Sequence, residues 1–161
     1  MDPSSVGGIT EFAIVVAGFT GLVLALSSRD SSTSQLVKFR TVTMLFYAFT
    51  AAFGSLLPLL WQSLGAAAIW RLSGFVLVVL LGANMAATSV SSRLLLTSEE
   101  RQMLATWMWL LVMIGNALFA LILLGSIFGL VGLAVEGAFI SALIWQLVLS
   151  SILFTRLILQ V

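Results

Sequence analysis

Residues 104–128, LATWMWLLVMIGNALFALILLGSIF, run for 25 positions without a charged side chain. About 20 consecutive apolar residues suffice for a helix to cross the ~30 Å hydrocarbon core of a bilayer. The stretch is continuously apolar rather than alternating, which argues against a β-barrel strand. Four more stretches read the same way, at about 9–27, 41–61, 70–90 and 137–159. The sequence therefore predicts an all-α fold: one transmembrane domain over residues 1–161, a bundle of about five membrane-spanning helices.

The composition agrees. Of 161 residues, 61% are hydrophobic and 8% are charged, where a soluble domain carries about 25% charged residues. So few charges cannot cover a water-facing surface. The formal net charge is +1, with no basic stripe of the kind that nucleic-acid binding needs. Histidine and cysteine are both absent. That removes thiolate nucleophiles, thiolate zinc sites, Fe–S clusters and histidine- or cysteine-ligated haem. No catalytic, metal or cofactor site is expected, and the chain reads as non-enzymatic.

The stretches between spans are short. Residues 27–34 (SSRDSSTS) form a polar loop, and residues 62–65 (QSLG) a tight turn. A second polar loop is expected from Ser91-Ser92-Arg93 through Gln102. Within it Thr97 and Glu100 have capping-box spacing, which places the start of the fourth helix near Ser98. Residues 125–136 are glycine-rich and apolar, and read equally as a turn, a re-entrant piece or a helix extension. The first span lacks a basic flank, so it is expected not to be a cleaved signal peptide.

Orientation follows from lysine and arginine, which accumulate in cytoplasmic loops. With the N-terminus outside and the C-terminus inside, Arg29, Lys38, Arg40, Arg93, Arg101 and Arg156 fall on the inner side, and Arg71 alone on the outer. Trp61 and Trp70 then mark the outer interface, Trp107 and Trp109 the inner one. The expected location is a bacterial inner membrane.

Three groups of residues could carry function. Asn84, Asn116 and Gln146 are side-chain amides at mid-span depth. They read either as glue between helices or as the lining of a polar pore or pocket. Asn116 and Gln146 lie at similar depth on successive spans, so a direct contact is the natural expectation. Glu11, Glu136 and Arg71 lie at the expected outer ends of helices. They form either an outward ion site or interfacial caps with an ion pair. Ala17 with Gly21, and Gly125 with Gly129, have the four-residue spacing that lets helix backbones approach closely. Pro58, late in the second span, removes a backbone hydrogen bond and should bend the helix.

Residues 17–27 (AGFTGLVLALS), Phe39-Arg40, residues 56–60 (LLPLL), Trp70-Arg71 and residues 154–157 (FTRL) together resemble a group of small multi-span bacterial membrane proteins. The resemblance covers nearly the whole chain. It implies a bacterial inner-membrane location and carries no activity. From the residues themselves, the leading expectation is a homo-oligomeric channel or conduit for ions or small solutes. The alternative is a structural or accessory subunit that anchors a membrane-protein partner. Lipid is the expected environment in both.

Overall fold

The computed structural model describes residues 35–103 and 106–159, with positions 11, 14, 15 and 18. No described residue lies in a strand. Within the described residues of 35–159, five helices follow in order: α1 Gln35–Ser63, α2 Ile69–Leu95, α3 Ser98–Met103, α4 Thr106–Ile127 and α5 Val135–Leu159. Among the described residues, four of these, all but α3, are long and apolar enough to cross a membrane. The expected span at 9–27 falls almost wholly outside the described residues. Its four described positions, Glu11, Ile14, Val15 and Gly18, are helical and exposed.

The four long helices form an antiparallel ring. α1 packs on α2 and α5, α4 packs on α2 and α5, and a weaker α2–α5 contact closes the centre. Residue pairs across α1 and α2 run in opposite directions, Tyr47 against Thr88 and Thr50 against Asn84. This arrangement puts Lys38, Arg40, Arg93 and Arg156 at one end of the bundle, and Arg71 at the other with Trp61 and Trp70.

The surface is inverted relative to a soluble protein. Phe53, Ile114 and Leu121 are each more than 60% exposed, while Asn116 and Gln146 are fully buried. An apolar exterior around a core with polar members is stable only where the solvent is itself apolar. On the Arg71 side of the amides, the core is Leu77, Leu123, Phe139 and Leu143. On the other side, Tyr47, Val112 and Leu149 pack together.

Two helices stop in the same way. α1 ends at Gly65, which has φ +69°. The Gly65 N–H donates to the Gln62 carbonyl at 3.0 Å, and the Ala66 N–H to the Trp61 carbonyl at 3.0 Å. α4 ends at Gly129, also φ +69°. There Gly129 N–H donates to Ser126 at 3.2 Å and Leu130 N–H to Gly125 at 2.7 Å. Both are Schellman caps, in which a left-handed residue, here glycine, turns the last N–H groups back onto the open carbonyls. Residues 125–136 are thus a helix end, a turn and the first residues of α5, rather than a re-entrant piece.

The second polar loop begins later than expected. α2 continues through Ser91-Ser92-Arg93 to Leu95. Ser92 Oγ donates back to the Ser89 carbonyl at 2.8 Å, so the serine is accommodated within the helix. Arg93 sits in the last turn, where the dipole favours a cation. The capping box forms: Glu100 N–H donates to Thr97 Oγ1 at 3.2 Å, and Thr97 N–H donates to Glu100 Oε2 at 2.9 Å. It starts α3, a six-residue helix. Pro58 lies inside α1, which runs on for five further residues.

Candidate functional site

The three mid-depth amides meet in the centre of the ring. Asn84 comes from α2, Asn116 from α4 and Gln146 from α5. Gln146 Nε2 donates to Asn116 Oδ1 at 2.8 Å. Asn84 Nδ2 donates to Thr50 Oγ1 of α1 at 2.8 Å and lies 3.3 Å from Gln146 Oε1. The Asn116 carbonyl receives a second donor, Trp145 Nε1, at 3.2 Å. Next to this, Tyr47 and Thr88 share a hydrogen bond of 3.2 Å between α1 and α2. All four long helices are joined by one polar cluster.

The cluster is buried. Asn116 and Gln146 have no exposed surface and Asn84 only 5%. A side-chain amide in an apolar interior is costly unless it is hydrogen-bonded. Here the bonds are made across helices, each contributing about 0.6–2 kcal/mol. Asn116 Nδ2 is buried near the Tyr47 hydroxyl and makes no hydrogen bond within 3.5 Å among the described residues.

Trp145 locks the α4–α5 side of the cluster. Its indole stacks on Phe119, with ring centroids 5.4 Å apart. It also packs against Gly115, where a Cβ would run into the indole ring. Gly54 of α1 has the same role towards Leu143, at 2.7 Å. The close approaches therefore occur at Gly115 and Gly54. Gly125 and Gly129, expected to be a helix-packing pair, belong to the α4 cap instead. Val131 folds back onto Gly125, and nothing lies within 4 Å of a Cβ placed at Gly129. The other expected packing pair, Ala17 and Gly21, lies outside the described residues.

Tyr47, Thr50, Thr88 and Trp145 were not singled out by the sequence reading. A signal existed. Tyr47 and Thr50 are three apart, and Asn84 and Thr88 four apart, so each pair marks one polar face on an otherwise apolar helix. Trp145 adjoins Gln146 and carries an N–H that needs an acceptor when buried.

Arg71 and Glu136 are brought together at the opposite end from the other described basic residues. Both line a surface pocket of about 420 Å³, with Trp70 and Ala134. Arg71 is exposed and lies in the first turn of α2; Glu136 is half-buried in the first turn of α5. Trp70 packs edge-on against Phe139 at 5.9 Å and holds the two helix starts together. Glu11, expected beside them, is exposed and is not among the residues lining this pocket. A second, smaller hollow of about 280 Å³ lies between α1 and α2. Its walls are Phe46, Phe49 and Phe53, and Thr50 and Asn84 reach it.

No protein-family model matches this sequence, and no curated protein or solved structure matches it either. Functional reading therefore rests on the geometry alone.

Proposed function

We propose that this protein is a non-enzymatic structural or accessory subunit of a membrane, a rigid bundle that anchors another membrane protein. The observation that supports this is the buried amide cluster. Asn84, Asn116 and Gln146 are the polar groups that a conduit through one chain would need at mid-depth. They hydrogen-bond to one another and are at most 5% exposed. Short connections leave little surface for a soluble partner, so contacts would lie within the membrane or at the basic end. The excess of lysine and arginine at that end favours a cytoplasmic placement, and hence an inner-membrane protein with N-terminus out and C-terminus in.

The test is reconstitution of the purified chain in liposomes, read by ion and small-solute flux. No flux is expected for any common ion, and a membrane-protein partner should co-purify at fixed stoichiometry. Flux from the purified chain would overturn the reading.

A homo-oligomeric conduit is the second reading. One observation favours it: Thr50 and Asn84 reach the hollow between Phe46, Phe49 and Phe53 on the outer face. A path lined by these groups would run between copies of the chain rather than through one. Cross-linking in lipid separates the readings. A closed ring of copies whose flux is altered by Asn84→Leu supports the conduit, and a monomer excludes it.

A further inference from the structure

We propose that the hollow between α1 and α2 is half of a dimer interface. A second copy of this chain lays the phenylalanine ridge of its α1 on the small-residue face of α2, about a two-fold axis along the membrane normal. The inference rests on neither functional reading above, and its test reads association rather than flux or co-purification.

The hollow has one high wall and one low wall. Phe46, Phe49 and Phe53 lie three and four positions apart, so they form a single ridge along α1. All three are exposed, and Phe49 and Phe53 lean on each other with ring centroids 6.0 Å apart. On α2, Gly82, Ala83 and Ala86 are exposed and Ala87 is half-buried. Nothing lies within 4 Å of a Cβ placed at Gly82. The ridge of one copy therefore has a seat of matching shape on another.

The two surfaces also share one depth. Tyr47 pairs with Thr88, and Thr50 with Asn84. Residues 46–53 of α1 thus run level with the stretch of α2 from Leu81 to Thr88. Copies of one chain insert the same way round, so the ridge of a second copy arrives at the depth of the first copy's seat. A two-fold axis then makes both contacts at once, as in any isologous pair.

Small residues permit a close approach without saying what arrives, but the polar groups beside them do. Asn84 is 5% exposed and lines the hollow. Its Nδ2 donates to Thr50 and Gln146, while its Oδ1 accepts no hydrogen bond among the described residues. Thr50 Oγ1 accepts from Asn84, and its own proton has no acceptor among the described residues. An acyl chain can satisfy neither group. Each copy offers one donor and one acceptor at the same depth, so the Thr50 hydroxyl of each can donate to Asn84 Oδ1 of the other. In lipid, packing and interhelical hydrogen bonds drive helices together, and this surface supplies both.

The native chain has no cysteine, so introduced cysteines report alone. Two differently tagged full-length chains, one Phe53→Cys and one Gly82→Cys, are co-expressed and oxidised in the membrane. They should cross-link as a dimer. Leu121→Cys, on the exposed face of α4, should not cross-link to Gly82→Cys. The native chain in liposomes, counted by single-molecule photobleaching across protein-to-lipid ratios, should pass from monomer to dimer and no further. Ala83→Phe, which blocks the seat from an exposed position, should weaken association at least tenfold. Thr50→Val keeps the shape and should weaken it about tenfold, the effect of losing two interhelical hydrogen bonds. Both variants should keep native helical content. A native chain that is monomeric at every ratio would overturn the proposal. So would a dimer that cross-links through Leu121→Cys instead, or folded Ala83→Phe and Thr50→Val variants that associate as the native chain does.

Discussion

At mid-depth, Asn84, Asn116 and Gln146 are neutral, buried and bonded to one another. At the Arg71 end, Arg71 and Glu136 are charged and face an open pocket. The contrast follows from the solvent. A neutral amide can be carried into an apolar interior if a neighbour meets its hydrogen bonds, whereas an ionised group there is far more costly. Amides can therefore serve as cross-links in the centre, and charges stay at the ends. The centre consequently governs stability, and the charged end contributes little to it.

This contrast breaks most visibly at Trp145. Trp145→Ala removes the ring that fills the space over Gly115, its stack on Phe119 and a donor to Asn116. Trp145 is half-buried, so unfolding by sodium dodecyl sulfate in mixed micelles should show a loss of about 3 kcal/mol, the low end of the range for deleting a core aromatic. Gly115→Ala probes the same contact from the other helix. The new Cβ would clash with the rigid indole. Despite alanine's better helix propensity, stability should fall by about 1–3 kcal/mol, as for an overpacked core. A variant as stable as the native chain would show that the α4–α5 contact is looser than described.

Gln146→Met isolates the cross-link from the packing. It keeps the side-chain volume while removing both the donor to Asn116 and the acceptor for Asn84. The same titration should register about 1–2 kcal/mol. Arg71→Gln is expected to have the smallest effect, under about 1 kcal/mol, because an exposed charge contributes little to stability. A large loss there would erase the distinction between the two regions.

Much of this was legible in the chain. The continuous apolar runs marked all four described long helices, and Thr97 with Glu100 marked the start of α3. The depth of Asn116 and Gln146 pointed to their contact. Gly125 and Gly129 show the ambiguity of such spacing, because small residues four apart serve equally for a helix crossing and for a Schellman cap. Only the φ of Gly129 and the hydrogen bonds that converge on Gly125 tell them apart. The end of α2 was placed early, because Ser91-Ser92-Arg93 is polar but compatible with a helix whose hydroxyls bond back to their own carbonyls.

The sequence by itself determined that the described chain forms long apolar helices with polar groups at set depths. Hydrophobic length and composition are properties of consecutive residues, and the bilayer reads them directly. Which way each polar residue faces was decided only by tertiary structure. The rotation of a helix about its axis depends on what packs beside it, and a few polar residues on otherwise apolar helices do not say which neighbour they meet. The clasp of Trp145 on Gly115, the four-helix amide cluster and the meeting of Arg71 with Glu136 all join residues at least 29 positions apart, across helices. No local pattern encodes those meetings; the packing of the ring does.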